Sequence, residues 1–194
     1  MESIFTLPYS EYEVINQLQR KLTKSEGNSC YIPTSRQQKG IDFIIHNSKH
    51  NKFLRFQVKS SRSYVKKPKK LKSGKIKDIK YKYHLWFNNF LERYEKENAD
   101  YYILFGLYPV YQQTKNIKSK SVFWKSLILC FSEKEMIELL EKVKTKREKK
   151  ADKFFGFGFN MDNEIFGTRG FEEDINLSDF LLENKLKELK QKLV

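Results

Sequence analysis

The chain has 194 residues, of which 39% are hydrophobic and 15% aromatic, and this composition predicts a folded domain and excludes a disordered one. Its 38 Lys and Arg residues against 24 Asp and Glu residues give a formal net charge of +14 and a pI of about 9.6. Such an excess favours a polyanionic partner, and we expect nucleic acid rather than an anionic membrane. The alternative is a basic protein whose charge serves no partner.

Cysteine, histidine and apolar residues are placed in ways that exclude several other classes. Cys30 and Cys130 are distant in sequence, and we expect two buried thiols in a reducing compartment rather than a disulfide. His46, His50 and His84 lack the spacing of a zinc site. No apolar run approaches the roughly 20 residues of a membrane span, and the first residues lack the pattern of a signal peptide. The expected location is the cytoplasm.

The first predicted element is a helix over residues 11 to 24. Ser10 and Glu13 have the spacing of a capping box, and Gly27 is placed to end the helix. Glu13 thus has a structural role available, whereas the simplest interpretation of Glu11 is an acid that favours a first helical turn. A helical stripe supports this prediction: Val14, Ile15, Leu18 and Leu22.

A short strand is predicted over residues 29 to 33, and a β-hairpin follows from strands 41–46 and 53–61 around a turn at 47–52. Pairing residues whose numbers sum to 99 makes one face apolar, with Ile41 opposite Val58, Phe43 opposite Phe56, and Ile45 opposite Leu54. Because side chains alternate along a strand, the other face carries Asp42 opposite Gln57, with Lys59 two residues further on. This register gathers an acid, an amide and an amine at one end of the hairpin.

A strongly basic segment adjoins that end of the hairpin. Residues 62 to 82 hold ten Lys or Arg and a single acid, which favours a phosphate-binding loop over a solvated charge run. The predicted DNA-binding residues lie in this segment, on the hairpin and in the loop before it: Arg36, Lys39, Arg55, Ser60, Ser61, Arg62, Lys66, Lys67, Lys69, Lys70 and Lys72.

The next part of the chain alternates between apolar runs and polar breaks. Residues 84 to 98 are predicted to form an amphipathic helix, or a strand followed by a helix. Residues 100 to 106, extending toward 111, and residues 121 to 131 are predicted to be buried strands. Ser132 and Glu135 form a second capping box, which predicts a helix that ends in a second basic run at 144–150.

The C-terminal part carries two further patterns. Residues 154 to 159 alternate Phe and Gly and predict a strand or a tight aromatic turn; two glycines alone do not make a dinucleotide-binding motif. Ser178 is predicted to cap a last helix. Its apolar stripe either closes the core or pairs with a partner, and consists of Leu182, Leu186, Leu189 and Leu193.

The arrangement of Glu11 on a helix, Asp42 at the start of the middle strand and Gln57-Val58-Lys59 at the end of the next resembles the PD-(D/E)XK nuclease superfamily. The spacing is similar to that of archaeal Holliday-junction resolvases. The resemblance covers residues 8 to 62, and the later strand–helix units in outline. Two positions depart from the pattern: Ile41 replaces the usual proline, and Gln57 replaces the second acid.

The resemblance implies an α/β fold with a restriction-endonuclease-like αβββαβ core, in which helices flank a mixed sheet. This nuclease core would span residues 1–150, with the basic insertion at 62–82. Residues 151–194 would form a C-terminal extension that ends in an amphipathic helix and either packs on the core or serves dimerisation.

The resemblance also implies hydrolysis of DNA phosphodiesters. Asp42, Gln57, the Val58 carbonyl and Glu11 would hold one or two Mg²⁺ ions, for which Mn²⁺ could substitute. Lys59 would orient the attacking water or stabilise the developing negative charge. Glutamine offers an oxygen but no charge, so the missing carboxylate is assigned to Glu11, with Glu13 as the alternative helix acid.

The expected function is that of a Mg²⁺-dependent endonuclease that cuts duplex DNA at specific sequences, of the restriction or homing type. Three alternatives stay open: a Holliday-junction resolvase, a non-catalytic nucleic-acid-binding protein on a degenerate nuclease fold, and an interaction protein that acts through its last helix. Because one active site cuts one strand, we expect a homodimer or higher homo-oligomer, with the leucine stripe as a candidate interface.

Overall fold

The computed structural model describes residues 9–33, 40–66, 69–70, 76–77, 79–92, 98–112, 121–143, 153–161 and 164–194. The helices in these ranges are α1 (Tyr9–Lys21), α2 (Glu133–Glu141) and α3 (Leu182–Leu193). The strands are β1 (Asn28–Tyr31), β2 (Phe43–Asn47), β3 (Lys52–Val65), β4 (Lys69–Lys70), β5 (Ile76–Lys77), β6 (Tyr83–Asn88), β7 (Tyr101–Gln112), β8 (Ser121–Ser132), β9 (Phe154–Phe159), β10 (Ile165–Arg169) and β11 (Ile175–Asn176).

Nine of these strands form one sheet that branches at β3. The first limb consists of β1, β2, β3, β7 and β8; the second limb consists of β6, β9, β10 and β11 and joins the first where Ser63–Val65 of β3 pair with β6. Strands β3 and β7 run parallel, and the other neighbours run antiparallel. The predicted α/β class with a mixed sheet is therefore confirmed. Strands β4 and β5 form a separate two-stranded sheet.

Two apolar cores cover the faces of the first limb. Strand β7 divides its side chains between them, because successive residues of a strand point to opposite faces. Tyr101, Ile103 and Phe105 lie in the helix-side core, under α1 and α3. Tyr102 and Leu104 lie in the inter-limb core, where the second limb and α2 pack against the first limb. The first limb is thus covered on both faces.

Helix α1 differs from its prediction at both ends. Ser10 lies inside the helix, which includes Tyr9, so Ser10 is not its cap. Glu13 accepts a hydrogen bond from the Gln17 side chain at 2.8 Å instead of closing a capping box. The helix ends at Lys21 because residues 24–26 form a separate 3₁₀ turn, which has its own capping box and is closed by Gly27.

The segment predicted as a helix, or as a strand followed by a helix, begins with the strand β6. In β6, Tyr83, Leu85 and Phe87 are buried while Trp86 and Asn88 are exposed, and this period of two is that of a strand. The capping box predicted at Ser132 is confirmed, since its hydroxyl accepts from the Glu135 N–H and the Glu135 carboxylate accepts from the Ser132 N–H. The basic run at 144–150 lies outside the described residues.

The last helix begins later than predicted, and its stripe packs inside the chain. Ser178 opens a 3₁₀ turn, and α3 starts at Leu182. Leu182, Leu189 and Leu193 are buried in the helix-side core, with the partly buried Leu186 packed against it. The stripe therefore covers the sheet beside α1. None of the helices in the described ranges has the length and apolar character to cross a membrane.

Candidate active site

The hairpin register predicted by the sum of 99 is the one that forms in β2 and β3. Phe43 pairs with Phe56 and Ile45 with Leu54, and the Phe43 and Phe56 rings stack with centroids 4.8 Å apart. The ladder starts at Phe43, however, and Ile41 and Asp42 precede β2. The predicted pairing of Ile41 with Val58 and of Asp42 with Gln57 is therefore wrong, because the ladder of β2 and β3 includes neither pair. The reason is that Asp42 bonds to β3 on both sides of Gln57.

Asp42 is held against the edge of β3 by two hydrogen bonds. Its backbone N–H donates to the Phe56 carbonyl at 2.8 Å, and its carboxylate Oδ2 accepts from the Val58 N–H at 2.6 Å. The chain reaches this position through Gly40, which has φ of 92°, a conformation that residues with a side chain rarely adopt. The carboxylate is thereby fixed beside the backbone of Gln57-Val58.

The Val58 carbonyl points to the same edge. Backbone groups of successive strand residues point to alternate sides. The Arg55 N–H points toward the β7 side, where it donates to Asp100 at 2.8 Å, and the Phe56 carbonyl points toward Asp42. The same alternation directs the N–H and C=O of Val58 toward Asp42.

Gln57 is the residue whose environment is least ordinary. It is only 7% exposed and lies on the inter-limb face of β3, in register with Tyr102 of β7. Its side-chain oxygen Oε1 is buried and makes no hydrogen bond to any described residue. Buried polar atoms in proteins are nearly always paired, so an unpaired amide oxygen at this position indicates a missing donor or cation.

Lys59 lies on the same face as Gln57, two residues along β3. The side chain is half-buried, and its ammonium nitrogen lies 4.9 Å from the centroid of the Phe90 ring. Phe90 in turn stacks on Tyr102 with a centroid distance of 5.6 Å. Asp42 is thus bonded to the edge of β3 at Val58, and the side chains of Gln57 and Lys59 project from the inter-limb face of the same segment.

Glu11 approaches from the other side of the sheet. It is half-buried on α1, and α1 packs with Val14, Ile15 and Leu18 on the helix-side core. Gln57 and Lys59 belong to the opposite face of β3. A role for Glu11 at the site stays a prediction, and the same holds for Glu13.

The donor set at this edge suits a hard cation. Among the described residues, no group of three or more His, Cys, Asp or Glu side chains is placed to hold a metal. One carboxylate, one backbone carbonyl and one amide oxygen are nevertheless the oxygen ligands that Mg²⁺ accepts, with water completing its shell. The unpaired oxygen of Gln57 is the observation that fits a cation here.

Several residues predicted to bind DNA have partners inside the chain. Arg55 forms a bidentate ion pair with Asp100, at 2.7 and 3.0 Å, and this hydrogen-bonded carboxylate raises the pKa of the guanidinium. The Ser61 hydroxyl donates to the Trp86 carbonyl at 2.7 Å. Sequence reasoning missed Asp100, which looks like an ordinary strand-flanking acid.

Of the remaining predicted DNA-binding residues, three have described side chains and six do not. Ser60, Arg62 and Lys66 are exposed along β3 and just after it. Lys69 and Lys70 lie on β4, and their side chains are not described; the other four lie outside the described residues: Arg36, Lys39, Lys67 and Lys72.

The cysteines are not part of this site. Both lie in the described ranges, where they form no disulfide; Cys130 is buried and Cys30 is half-buried. Burial raises the pKa of Cys30 to about 11 and raises that of Cys130 further, so both are neutral thiols at pH 7.

Comparison of the chain with protein-family models, curated proteins and solved structures finds no match.

Proposed function

We propose that this protein is a Mg²⁺-dependent DNA endonuclease that cuts duplex DNA at specific sequences. The observation that carries the proposal is the edge of β3. The carboxylate of Asp42 accepts from the Val58 N–H, Gln57 carries a buried side-chain oxygen without a partner among the described residues, and Lys59 lies on the same face as Gln57.

The order of the elements supports a restriction-endonuclease-like core. Helix α1 precedes three strands that pair in sequence, β1 with β2 and β2 with β3, and the next long strand of that limb, β7, runs parallel to β3. The superfamily that the sequence resembles has this order. Its crossover from the third strand to the fourth is a helix, whereas here the connection includes β6.

In this proposal Asp42, the Val58 carbonyl and Gln57 would hold Mg²⁺, and the ion would supply an activated water and offset phosphate charge. Asp42 supplies the negative charge of the site, and its bond to the Val58 N–H keeps the carboxylate oriented. The Lys59 ammonium stabilises the negative charge that develops on the phosphate during attack. Exposed cations along β3, Arg62 and Lys66, bind the DNA backbone.

The direct test is cleavage of supercoiled plasmid and of phage DNA in the presence of Mg²⁺. We expect discrete fragments from the wild-type chain and none from Asp42→Asn or Lys59→Ala, with a loss of about a hundredfold or more in rate. The matched controls are Asp179→Asn and Lys125→Ala, which change an exposed acid and an exposed lysine far along the chain. Fragments that persist in Asp42→Asn would place the active site elsewhere.

A second candidate is a DNA-binding protein that does not cleave. It is favoured by the neutral side chain of Gln57 and by the burial of that side chain in the inter-limb core. This candidate predicts that wild type, Asp42→Asn and Lys59→Ala all bind DNA equally and that none cuts it. The affinity should fall steeply with salt, because phosphate contacts release counterions.

Cutting both strands of a duplex requires two sites, and we propose a homodimer or higher homo-oligomer on DNA. The leucine stripe of α3 is not offered as its interface, since those side chains are used in the helix-side core. A monomer by sedimentation that still makes double-strand breaks would contradict the proposal.

A further inference from the structure

Four planar side chains, one from each of four neighbouring strands, lie together on the outer face of the second limb. Tyr64 comes from β3, Trp86 from β6, Phe154 from β9 and Arg169 from β10. The Tyr64 and Trp86 rings are 4.6 Å apart and tilted by 30°. The Arg169 guanidinium lies 4.9 Å from the Trp86 ring and 5.1 Å from the Phe154 ring. All three aromatic rings are exposed, Tyr64 by 53%.

The alternation of Phe and Gly in β9 explains how this surface forms. Phe155, Phe157 and Phe159 point into the inter-limb core, so Gly156 and Gly158 lie on the outer face. A Cβ on Gly156 would lie 2.5 Å from the Trp86 ring, and a Cβ on Gly158 would lie 2.6 Å from the Tyr81 ring. The glycines therefore leave room for two aromatic rings to lie flat on the sheet.

Tyr64, Tyr81 and Trp86 line an open groove with a volume of about 760 Å³, which is within the usual range of ligand sites, about 300–1,000 Å³. Among the described residues that line it, the cations are Lys66, Lys80 and Arg169, and the acid is Asp174. The Asp174 carboxylate accepts from the Lys80 ammonium at 2.5 Å and from the Tyr81 hydroxyl at 2.9 Å. The acid is thereby offset, and the groove is basic and aromatic.

We propose that this groove binds an unpaired strand of nucleic acid, with a base stacked on the Tyr64–Trp86 pair and its phosphates beside Lys66 and Lys80. Aromatic rings that accept bases of any sequence, next to cations that follow the backbone, are the physical basis of single-strand binding. A base in a duplex already stacks on its neighbours and cannot reach a ring that lies flat on a sheet. The net charge of +14 is complementary to such a ligand.

The groove is a different surface from the candidate active site. Tyr64 has the parity of Phe56 along β3 and so faces away from Lys59. Tyr64 lies five positions beyond Lys59, which corresponds to about 17 Å along the strand. The inference goes beyond the proposed function by assigning the protein a second nucleic-acid surface, for an unpaired strand. It rests on that function only for the nature of the polymer, not for cleavage.

The test is binding measured in EDTA, so that cleavage plays no part. A labelled single-stranded oligo-dT of about 15 nucleotides is titrated by fluorescence anisotropy beside a duplex of the same length. We expect tighter binding of the single strand, weakened about tenfold or more by Tyr64→Leu and by Trp86→Ala, and retained by Tyr64→Phe. In Trp124→Phe, which leaves Trp86 as the only tryptophan, the single strand should quench the fluorescence.

The matched control is Trp124→Ala, because Trp124 is 65% exposed on β8, outside the groove. Its affinity should equal that of the wild type, and circular dichroism should show that the Tyr64 variants are folded. Affinity unchanged by Tyr64→Leu in the folded protein would overturn the inference, as would equal losses in Trp124→Ala or stronger binding of the duplex. Absence of plasmid cleavage with these binding results intact would refute the nuclease proposal alone.

Discussion

At the scale of single residues, the side chain of Gln57 distinguishes a functional account from a structural one. A buried amide oxygen without a partner costs about 1–3 kcal/mol, and the structure gives no compensating contact from any described residue. The neighbouring carboxylate of Asp42 is instead satisfied by the Val58 N–H. Such a cost is expected where a ligand supplies the missing interaction.

The first prediction is that Gln57→Met raises stability while it abolishes cleavage. Methionine has a similar length and leaves no unpaired oxygen, so the free energy of unfolding should rise by about 1 kcal/mol. Denaturant titration measures the first effect and the plasmid assay the second. A variant that is less stable than the wild type would show that the Gln57 amide has a structural partner.

The second prediction is that Gly156→Ala destabilises the protein by about 2 kcal/mol. The added Cβ would lie 2.5 Å from the Trp86 ring and 2.6 Å from the Leu85 carbonyl oxygen, and the backbone oxygen has little freedom to move. Thermal unfolding measures the change, with Ser60→Ala on the exposed part of β3 as the control. An unchanged melting temperature would mean that the outer face is looser than the structure describes.

At the scale of elements, α2 and α3 are joined by a partly buried ion-pair network. The ammonium of Lys185, a residue that is 8% exposed, donates to Glu135 at 2.5 Å and to Glu188 at 2.7 Å. The Tyr101 hydroxyl donates to Glu188 at 2.8 Å, which ties β7 to the same network. Burial raises the pKa of Glu135, but hydrogen bonds from Lys185 and Ser132 outweigh it and leave that pKa below the ordinary 4.5.

The third prediction follows from that lowered pKa. The stability that ionised Glu135 contributes is present above about pH 4.5 and is lost as the pH falls through its lower folded-state pKa. Glu135→Gln should therefore be less stable than the wild type at pH 7, by about 1–2 kcal/mol, and the difference should shrink toward pH 3. Chemical denaturation across this range measures it.

The control for the third prediction is Glu138→Gln, because Glu138 makes only an exposed contact of 3.9 Å with Lys134 on the same helix. That variant should differ little from the wild type at any pH. A constant loss in Glu135→Gln from pH 7 to pH 3 would contradict the role assigned to its charge.

The elements predicted best from the sequence are those whose local signals agree with their packing. Ser132 precedes a helix that buries Met136 and Leu139, so its capping box forms as the pattern indicates. Ser10 and Glu13 have the same capping-box spacing, but α1 already includes Tyr9, so Ser10 lies within the helix and does not cap it. The apolar pattern of residues 83–88 fits the period of a helix as well as that of a strand. These residues form a strand because they pair with β9. No local pattern reports such long-range pairing.

The candidate site divides in the same way. The register of Phe43 with Phe56 follows from burial of one face, and so the order of Asp42, Gln57 and Lys59 could be predicted. What could not be predicted is that this face of β3 is covered by a second limb of the sheet, which buries Gln57. The glycines at 156 and 158 are visible in the sequence, yet their purpose becomes clear only when Trp86 and Tyr81 lie over them.

At the scale of the whole molecule, the helix-side core uses the surface that the sequence offered to a partner. Leu189 is fully buried, and Leu182 and Leu193 are nearly so. The last helix therefore packs on the first limb of the sheet and stabilises it. The leucine stripe is not available as the interface of an oligomer.

The fourth prediction is that Leu189→Ala lowers the free energy of unfolding by about 2–5 kcal/mol at every protein concentration. Calorimetric melting at two concentrations measures it, and Lys187→Ala on the exposed side of α3 is the control. A melting temperature that rises with concentration in the wild type and loses this dependence in Leu189→Ala would assign the stripe to a dimer interface instead.

The most direct test of the central claim is the binding of Mn²⁺, measured by the loss of the free-ion electron paramagnetic resonance signal. We expect the wild-type chain to bind at least one Mn²⁺ ion, Mg²⁺ to compete for it, and Asp179→Asn to bind Mn²⁺ equally well. Asp42→Asn and Gln57→Met should lose this binding, because the first removes the negative charge of the site and the second removes an oxygen ligand. Wild-type protein that binds no Mn²⁺, or an Asp42→Asn variant that binds it unchanged, would contradict the account.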